Sequence, residues 1–129
     1  MPLPVTATTA AAVALITVFL SFRIVRLRRS RRIGLGDGGD TTLRRAIRGH
    51  ANLAEHGPLA VILIGICELQ GTPPWLLSSL GLALVIGRVL HPWGLAGSSG
   101  ISFGRTAGTA LTWLVLMTGA VIALGGALR

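Results

Sequence analysis

Four apolar segments, each long enough to cross a lipid bilayer, constrain the fold of this chain more than any other feature. They cover about residues 3–22, 46–70, 75–94 and 104–127, and the first contains no charged side chain. A helix needs about 20 mostly apolar residues to span the hydrocarbon core. Charged residues make up only 12% of the chain, about half the usual share in soluble domains. The pattern predicts an all-α, integral membrane four-helix bundle that forms a single domain over residues 1–129.

The arginines between the first and second spans predict the orientation of the chain. Residues 23–45 form the predicted basic loop, and nine of the twelve basic residues fall within residues 23–48. Arg88 and Arg105 flank the loop between the third and fourth spans on the same side, and Arg129 falls on the other. Because basic residues favour the cytoplasmic side, we expect a cytoplasmic basic loop and both termini on the non-cytoplasmic side.

A cleaved signal peptide and a nucleic-acid site are both weaker interpretations of this charge pattern. A signal peptide carries positive charge before its apolar stretch, whereas here the arginines follow it. Binding of nucleic acid by the run from Arg23 to Arg32 is not needed, because topology and contact with anionic lipid headgroups account for that run. The lipid bilayer is therefore the predicted partner, and no nucleic acid is predicted.

The single cysteine limits the covalent and metal chemistry of the chain. Cys67 lies inside an apolar run, so no intramolecular disulfide and no cysteine-based zinc site can form. We expect it to be a small buried hydrophobe. No metal site is predicted.

Ionisable side chains at the start of the second span form the first part of a candidate site. Arg45, Arg48, Asn52 and Glu55 are spaced three, four and three residues apart, which puts them on one face of a helix. Charges inside a membrane are costly, so they should point into the bundle and find partners. The structural alternative is an internal salt bridge, in which Arg48 or Arg88 neutralises Glu55.

The third and fourth spans add the rest of the candidate site. Arg88 and His91 are one turn apart in the segment G-R-V-L-H, and Arg105 begins the fourth span at the same depth. Together with the second span these residues predict a cytoplasm-facing polar pocket between helices. Guanidiniums bind carboxylates bidentately, and a lone carboxylate can accept from an ammonium group. Such a pocket suits a small, mostly anionic ligand that also has an amine, the pattern of glutathione.

The segment R-G-H-A-N-L-A-E-H-G-P-L-A, followed by E-L-Q-G and G-R-V-L-H, resembles the MAPEG family, the membrane-associated proteins in eicosanoid and glutathione metabolism. The resemblance covers the whole chain and is strongest to a short bacterial branch. It implies a homotrimer of four-helix subunits in the bacterial inner membrane, with glutathione bound between subunits near the cytoplasmic face.

The resemblance also implies roles for individual residues. Arg48, Asn52 and Glu55 match glutathione contacts of the second helix, and Arg88 and His91 match the motif of the third. Family enzymes have an arginine early in the fourth helix that stabilises the thiolate, and Arg105 is the candidate for this catalytic role. Apart from the resemblance, we expect Arg45 to hold a carboxylate of the ligand together with Arg48.

The chain departs from this family in one respect that bears on activity. It has no tyrosine, and Leu95 stands where the resemblance leads us to expect one after the third-helix histidine. The leading hypothesis is a transferase or peroxidase that uses glutathione or another low-molecular-weight thiol on lipophilic electrophiles. The alternative is a non-catalytic membrane protein of the same fold that binds a small anionic ligand or a lipid.

Overall fold

The computed structural model describes residues 2–128, and within that range it contains four α-helices and no strand. In chain order they are α1 (Pro4–Arg31), α2 (Thr41–Leu69), α3 (Pro74–Gly97) and α4 (Phe103–Ala127). Each is long and apolar enough to cross a membrane, which confirms the predicted all-α membrane bundle. The orientation of the termini stays a prediction, and Arg129, which contributed to it, lies outside the described residues.

The first helix is longer than the predicted span of residues 3–22, and the basic loop is shorter than the predicted range 23–45. Between α1 and α2, only residues 32–40 are coil. The first helix continues past Phe22 because the arginine, leucine and isoleucine residues that follow are compatible with a helix. The helix ends where Arg32 adopts a left-handed conformation (φ 56°, ψ 38°) and the N–H of Ile33 donates to the carbonyl of Arg28 at 3.0 Å. Most of the arginines after the first span therefore project from a helix.

Helices α2 and α3 form the centre of the bundle. Helix α1 packs against both of them, α4 packs against both on the other side, and α1 and α4 do not touch within the described residues. The shared core includes Leu53, Ile64, Cys67, Leu84 and Val115, all nearly inaccessible to solvent. Cys67 is thus the buried hydrophobe that its apolar surroundings predict.

Helices α3 and α4 approach so closely that their backbones are in contact. A Cβ atom added to Gly108 would lie 2.7 Å from the carbonyl oxygen of Gly87, and one on Gly104 would lie 2.8 Å from the carbonyl oxygen of Leu90. Small residues allow such contact in lipid, where helix association depends on packing. The crossing holds the first turn of α4 beside the last turns of α3, at the end of the bundle with loops 32–40 and 98–102. We call this the arginine end.

At the opposite end, a carboxylate fastens α1 to α2. Glu68 accepts the N–H of Val5 at 3.0 Å, the N–H of Thr6 at 2.8 Å and the Thr6 hydroxyl at 2.6 Å. Negative charge at a helix N-terminus is favourable because the first N–H groups have no partner within the helix. Glu68 therefore has a structural role far from the arginine end.

Candidate functional site

The predicted site residues all lie toward the arginine end but at two depths. With a rise of about 1.5 Å per residue, Glu55 lies about 21 Å from Leu69, and Arg88 lies about 21 Å from Pro74. Arg48 and Arg105 lie about 32 to 33 Å from the far ends of their helices. A hydrocarbon core is about 30 Å thick. Glu55 and Arg88 are therefore inside the layer, whereas Arg48 and Arg105 reach its surface.

Arg88 is the centre of a buried hydrogen-bond network that joins three helices. It is 1% exposed. Its Nη1 donates to Asn52 Oδ1 at 2.8 Å, and its Nη2 donates to the carbonyl of Gly108 at 3.2 Å and to the hydroxyl of Thr112. That hydroxyl in turn donates to the Gly108 carbonyl at 2.8 Å. Because every one of these acceptors is neutral, backbone and side-chain dipoles stabilise the buried charge.

Arg48 and Glu55 form an exposed ion pair two turns apart on α2. Arg48 Nη1 donates to Glu55 Oε1 at 2.9 Å, and Nη2 donates to Oε2 at 3.4 Å. The two side chains remain 58% and 48% exposed. The partner of Glu55, which the sequence left open between Arg48 and Arg88, is therefore Arg48. Both groups of the pair are accessible from outside the chain.

Arg45 and Arg105 hold the loop between α3 and α4. Arg45 Nε donates to the hydroxyl of Ser99 at 2.6 Å. Arg105 Nη1 donates to the carbonyl of Ser99 at 3.0 Å and to that of Gly100 at 2.5 Å. Both guanidiniums keep unused N–H groups, because each has five donors. The loop thereby connects the start of α2 to the start of α4.

A cleft of about 370 Å³ opens along α3 and α4 beside this loop, and we call it the α3–α4 cleft. It is lined by His91, Ile101, Arg105, Thr106, Thr109, Ala110 and Trp113. His91 is only 7% exposed, and its Nδ1 has no hydrogen-bond partner among the described residues. The cleft thus combines a cation, part of a mostly buried histidine ring and an apolar wall.

The structure does not gather all the predicted residues around one pocket within a single chain. His91 and Arg105 line the α3–α4 cleft, whereas Arg48 and Glu55 pair with each other on the exposed surface of α2. Asn52 lies between them in sequence but bonds inward to Arg88. The division arises because the polar face of α2 is wide enough for one edge to face away from the bundle and the other to face α3.

Sequence reasoning missed several polar residues that support the site. The Thr112 hydroxyl accepts a hydrogen bond from Arg88. A polar residue in an apolar helix, one turn after Gly108 at a close helix contact, could have been recognised in the sequence as a partner for a buried polar group. Ser21 Oγ lies 2.9 Å from His50 Nε2 and links α1 to α2. Ser99 carried no signal, because its contacts with Arg45 and Arg105 depend on the folded loop.

The loop carboxylates do not compete for the candidate site. Asp37 accepts from Arg44 Nε at 2.5 Å, and this contact holds the pKa of the Asp37 carboxyl below its usual value of about 3.8. Asp40 pairs with Arg31 at 2.8 Å. With Glu55 on Arg48 and Glu68 at the far end, all four acids of the chain have partners. The site is therefore strongly cationic.

Comparison with known proteins gives both a family and relatives. A model described as the MAPEG family matches residues 6–125. Inner membrane protein YecN of Escherichia coli strain K12 is 36% identical over 104 residues, which cover 81% of this chain and 78% of the relative. Inner membrane protein YecN of Escherichia coli O6:H1 strain CFT073 matches to the same extent. The family match extends across all four helices, and the relatives' names state a location without an activity.

Proposed function

This chain belongs to the MAPEG family, and on that premise we propose that it is a transferase or peroxidase that uses glutathione or a similar low-molecular-weight thiol on lipophilic electrophiles. It is a multi-pass inner-membrane protein, in keeping with its four membrane-spanning helices and its relatives in Escherichia coli. The candidate site at the arginine end lies where a water-soluble thiol and a membrane-dissolved electrophile can meet.

The observation that carries this proposal is the exposed ion pair between Arg48 and Glu55, which are 58% and 48% exposed. A ligand with a carboxylate and an ammonium group can replace both partners, with its carboxylate on Arg48 and its ammonium on Glu55. The exchange is possible because neither partner is enclosed by the rest of the chain, and the incoming carboxylate and ammonium group replace the charges that the two side chains lose. Arg45 lies one turn before Arg48 and supplies donors for a second carboxylate.

Activation of the thiol falls to Arg105 in this proposal. A guanidinium near the sulfur lowers the pKa of the thiol by stabilising the thiolate. In transfer, the thiolate sulfur forms a bond to an electrophilic carbon, and the displaced electron pair takes up a proton or leaves with the leaving group. In peroxide reduction, two thiols yield a disulfide while the peroxide becomes an alcohol and water. Lipophilic substrates would enter through the α3–α4 cleft, beside Trp113.

We further propose that the protein acts as a homotrimer. In one chain the ion pair lies on the surface of α2, and the α3–α4 cleft is lined by other elements. A neighbouring subunit that brings its α2 against this cleft would complete a site with both sets of groups. Cross-linking in native membranes, with the number of subunits in the product as the readout, tests this proposal.

The experiment that tests the function is calorimetric thiol binding by purified protein in nanodiscs. We expect saturable binding that weakens at least tenfold in Arg48→Ala and Glu55→Ala. Arg44→Ala is the matched control, since Arg44 is an exposed arginine of the same helix that pairs with loop residue Asp37. Absence of binding in the native protein, or equal losses in all three variants, would contradict the proposal.

The absence of tyrosine from the whole chain supports a second candidate, a non-catalytic protein that binds a small anion or a lipid. Without a phenol near the sulfur, thiol activation depends on Arg105 alone. Turnover of a panel of lipophilic electrophiles and hydroperoxides by the nanodisc preparation separates the two candidates. Saturable thiol binding without turnover, and without a lowered thiol pKa in the complex, selects the non-catalytic one.

A further inference from the structure

A groove between α1 and α3 lies apart from the candidate thiol site, and we call it the α1–α3 groove. It encloses about 620 Å³ and is lined by apolar side chains of both helices, including Phe19 from α1 with Val89 and Trp93 from α3. Arg23 is its one charged lining residue. The groove therefore has an apolar body and a cationic boundary.

A second cleft of about 480 Å³ continues from this groove along α1, and we call it the α1 cleft. Phe19 and Arg23 line both spaces, and Arg26 and Ser30 extend the second one toward the end of the helix. Positions 23, 26 and 30 share one face of a helix. Two guanidiniums and a hydroxyl thus lie in line with the apolar groove.

The depth of these two spaces matches the layers of a bilayer. Arg23 lies 19 residues after Pro4, or about 29 Å along the helix at 1.5 Å per residue. The hydrocarbon core is about 30 Å thick. The α1–α3 groove is therefore inside the hydrocarbon, and the α1 cleft begins at the level of the lipid headgroups.

Arg23 and Arg26 have no acidic partner in the part of the chain that the structure describes. The three ion pairs there engage Arg31, Arg44 and Arg48, and the remaining acid, Glu68, is at the opposite end of the bundle. Both cations are therefore available to an anion from outside the chain. A free phosphate would fill the α1 cleft but not the apolar groove continuous with it.

We propose that the α1–α3 groove and the α1 cleft together bind one anionic phospholipid. One acyl chain lies along the groove between Phe19 and Trp93. The phosphate accepts hydrogen bonds from Arg23 and Arg26, and the Ser30 hydroxyl lies within the same cleft for the rest of the headgroup. This site is on the α1 side of the bundle, whereas the α3–α4 cleft is on the α4 side, so it is independent of the proposed thiol chemistry.

Selectivity of this site comes from the headgroup. An acyl chain gains little by leaving other lipid tails, since both surroundings are equally apolar. Each arginine near an anionic headgroup contributes a factor of about five in binding. Two arginines therefore give a preference of about 30-fold for an anionic over a zwitterionic lipid with the same tails.

The test uses Trp93 as a reporter, because it lines the groove and keeps 67% of its surface exposed there. Trp75→Phe and Trp113→Phe leave it as the sole tryptophan. Its fluorescence is measured in vesicles that contain brominated phosphatidylglycerol or brominated phosphatidylcholine with identical tails. We expect the anionic lipid to quench Trp93 with an exchange constant about 30-fold larger.

Two double variants separate the site from general surface charge. Arg23→Gln with Arg26→Gln should reduce the preference to less than fivefold. Arg29→Gln with Arg32→Gln makes the same change in net charge at exposed positions of the same segment, outside both spaces, and should leave the preference intact. Equal losses in both pairs, or no preference in the parent, would overturn the proposal. So would absence of quenching by either lipid, which would mean that a second copy of the chain covers the groove.

Discussion

Arg88 and Arg48 are the same residue type at the same end of the bundle, yet their surroundings differ. Arg88 is 1% exposed and bonds to neutral acceptors on α2 and α4, whereas the Arg48 side chain is 58% exposed and pairs with the Glu55 carboxylate on the outer surface of α2. A ligand cannot reach the first without opening the helix packing, but it can displace the partner of the second. Burial, more than charge, therefore separates an arginine that builds the site from one that can bind a ligand.

The largest expected effect is that of Arg88→Ala. Removal of this side chain leaves a cavity and deprives Asn52 Oδ1 and the Thr112 hydroxyl of a donor. Large-to-small substitution at such a position, with acceptors left unpaired, costs roughly 3 kcal/mol of the free energy of unfolding. The measurement is reversible unfolding in mixed micelles with increasing SDS.

The comparison variant for that measurement is Arg48→Ala, which we expect to lose less free energy of unfolding than Arg88→Ala, because the Arg48 side chain is 58% exposed and its removal leaves no cavity. Similar losses in the two variants would mean that burial does not distinguish the two arginines. Arg88→Lys keeps a cation but not the forked donors, so its loss should fall between those of the two alanine variants.

A smaller effect is expected for Thr112→Val, which removes one acceptor of Arg88 and keeps the shape of the side chain. Hydrogen bonds between membrane helices contribute about 0.6 kcal/mol on average and up to about 1.7 kcal/mol. We expect a loss of about 1 kcal/mol in the same unfolding assay, and Thr112→Ser, which retains the hydroxyl, should lose less. A double-mutant cycle with Arg88→Ala should show coupling, and strict additivity would contradict the network.

The exposed pair allows a sharper test, because its two charges can be exchanged. The double variant Arg48→Glu with Glu55→Arg keeps an ion pair on the same face of α2 but reverses its direction. We expect the free energy of unfolding to change less than in Arg48→Ala, because an ion pair is kept at the same two positions. Thiol binding by calorimetry should weaken at least tenfold, because the ligand's carboxylate and ammonium would each meet the wrong charge. Retained binding would show that the direction of the pair does not matter for the ligand.

The sequence alone predicted the fold class because helix length and hydropathy depend on local composition. It also predicted that Glu55 needs a partner, since a charge at that depth is costly in lipid. It left open whether Arg48 or Arg88 was that partner. Arg48 lies two turns from Glu55 on the same helix, and Arg88 lies at a similar depth on α3, so the sequence does not distinguish them. The choice depends on how α3 is rotated, and that rotation depends on the close contact of Gly87 with Gly108.

Other features could not be predicted from local pattern. Helix α1 extends to Arg31 because the arginines tolerate a helix, whereas the sequence reasoning ended the span where the charges begin. The contacts of Ser99 with Arg45 and Arg105 exist only after α2 and α4 have met across the loop. Orientation, oligomeric state and the thiol stay predictions, because they concern the membrane, other subunits and a ligand.

The smallest expected effect belongs to a third arginine, Arg44, whose partner Asp37 is in the exposed loop. Its hydrogen bond lowers the pKa of the Asp37 carboxyl in the folded protein. The contact therefore stabilises the loop fully at pH values above the ordinary pKa of an aspartate, and this stabilisation is lost as the pH falls through the lowered pKa. Because Arg44 contacts only this loop residue among the acids, Arg44→Ala should leave thiol binding at neutral pH unchanged. In a carboxyl-carbon NMR titration it should raise the pKa of Asp37 toward its usual value, and an unchanged pKa would show that Arg44 is not the cause. Arg44 would then affect only the ionisation of its loop partner, whereas Arg48, which is also exposed, would affect thiol binding because its partner is Glu55 of the candidate site.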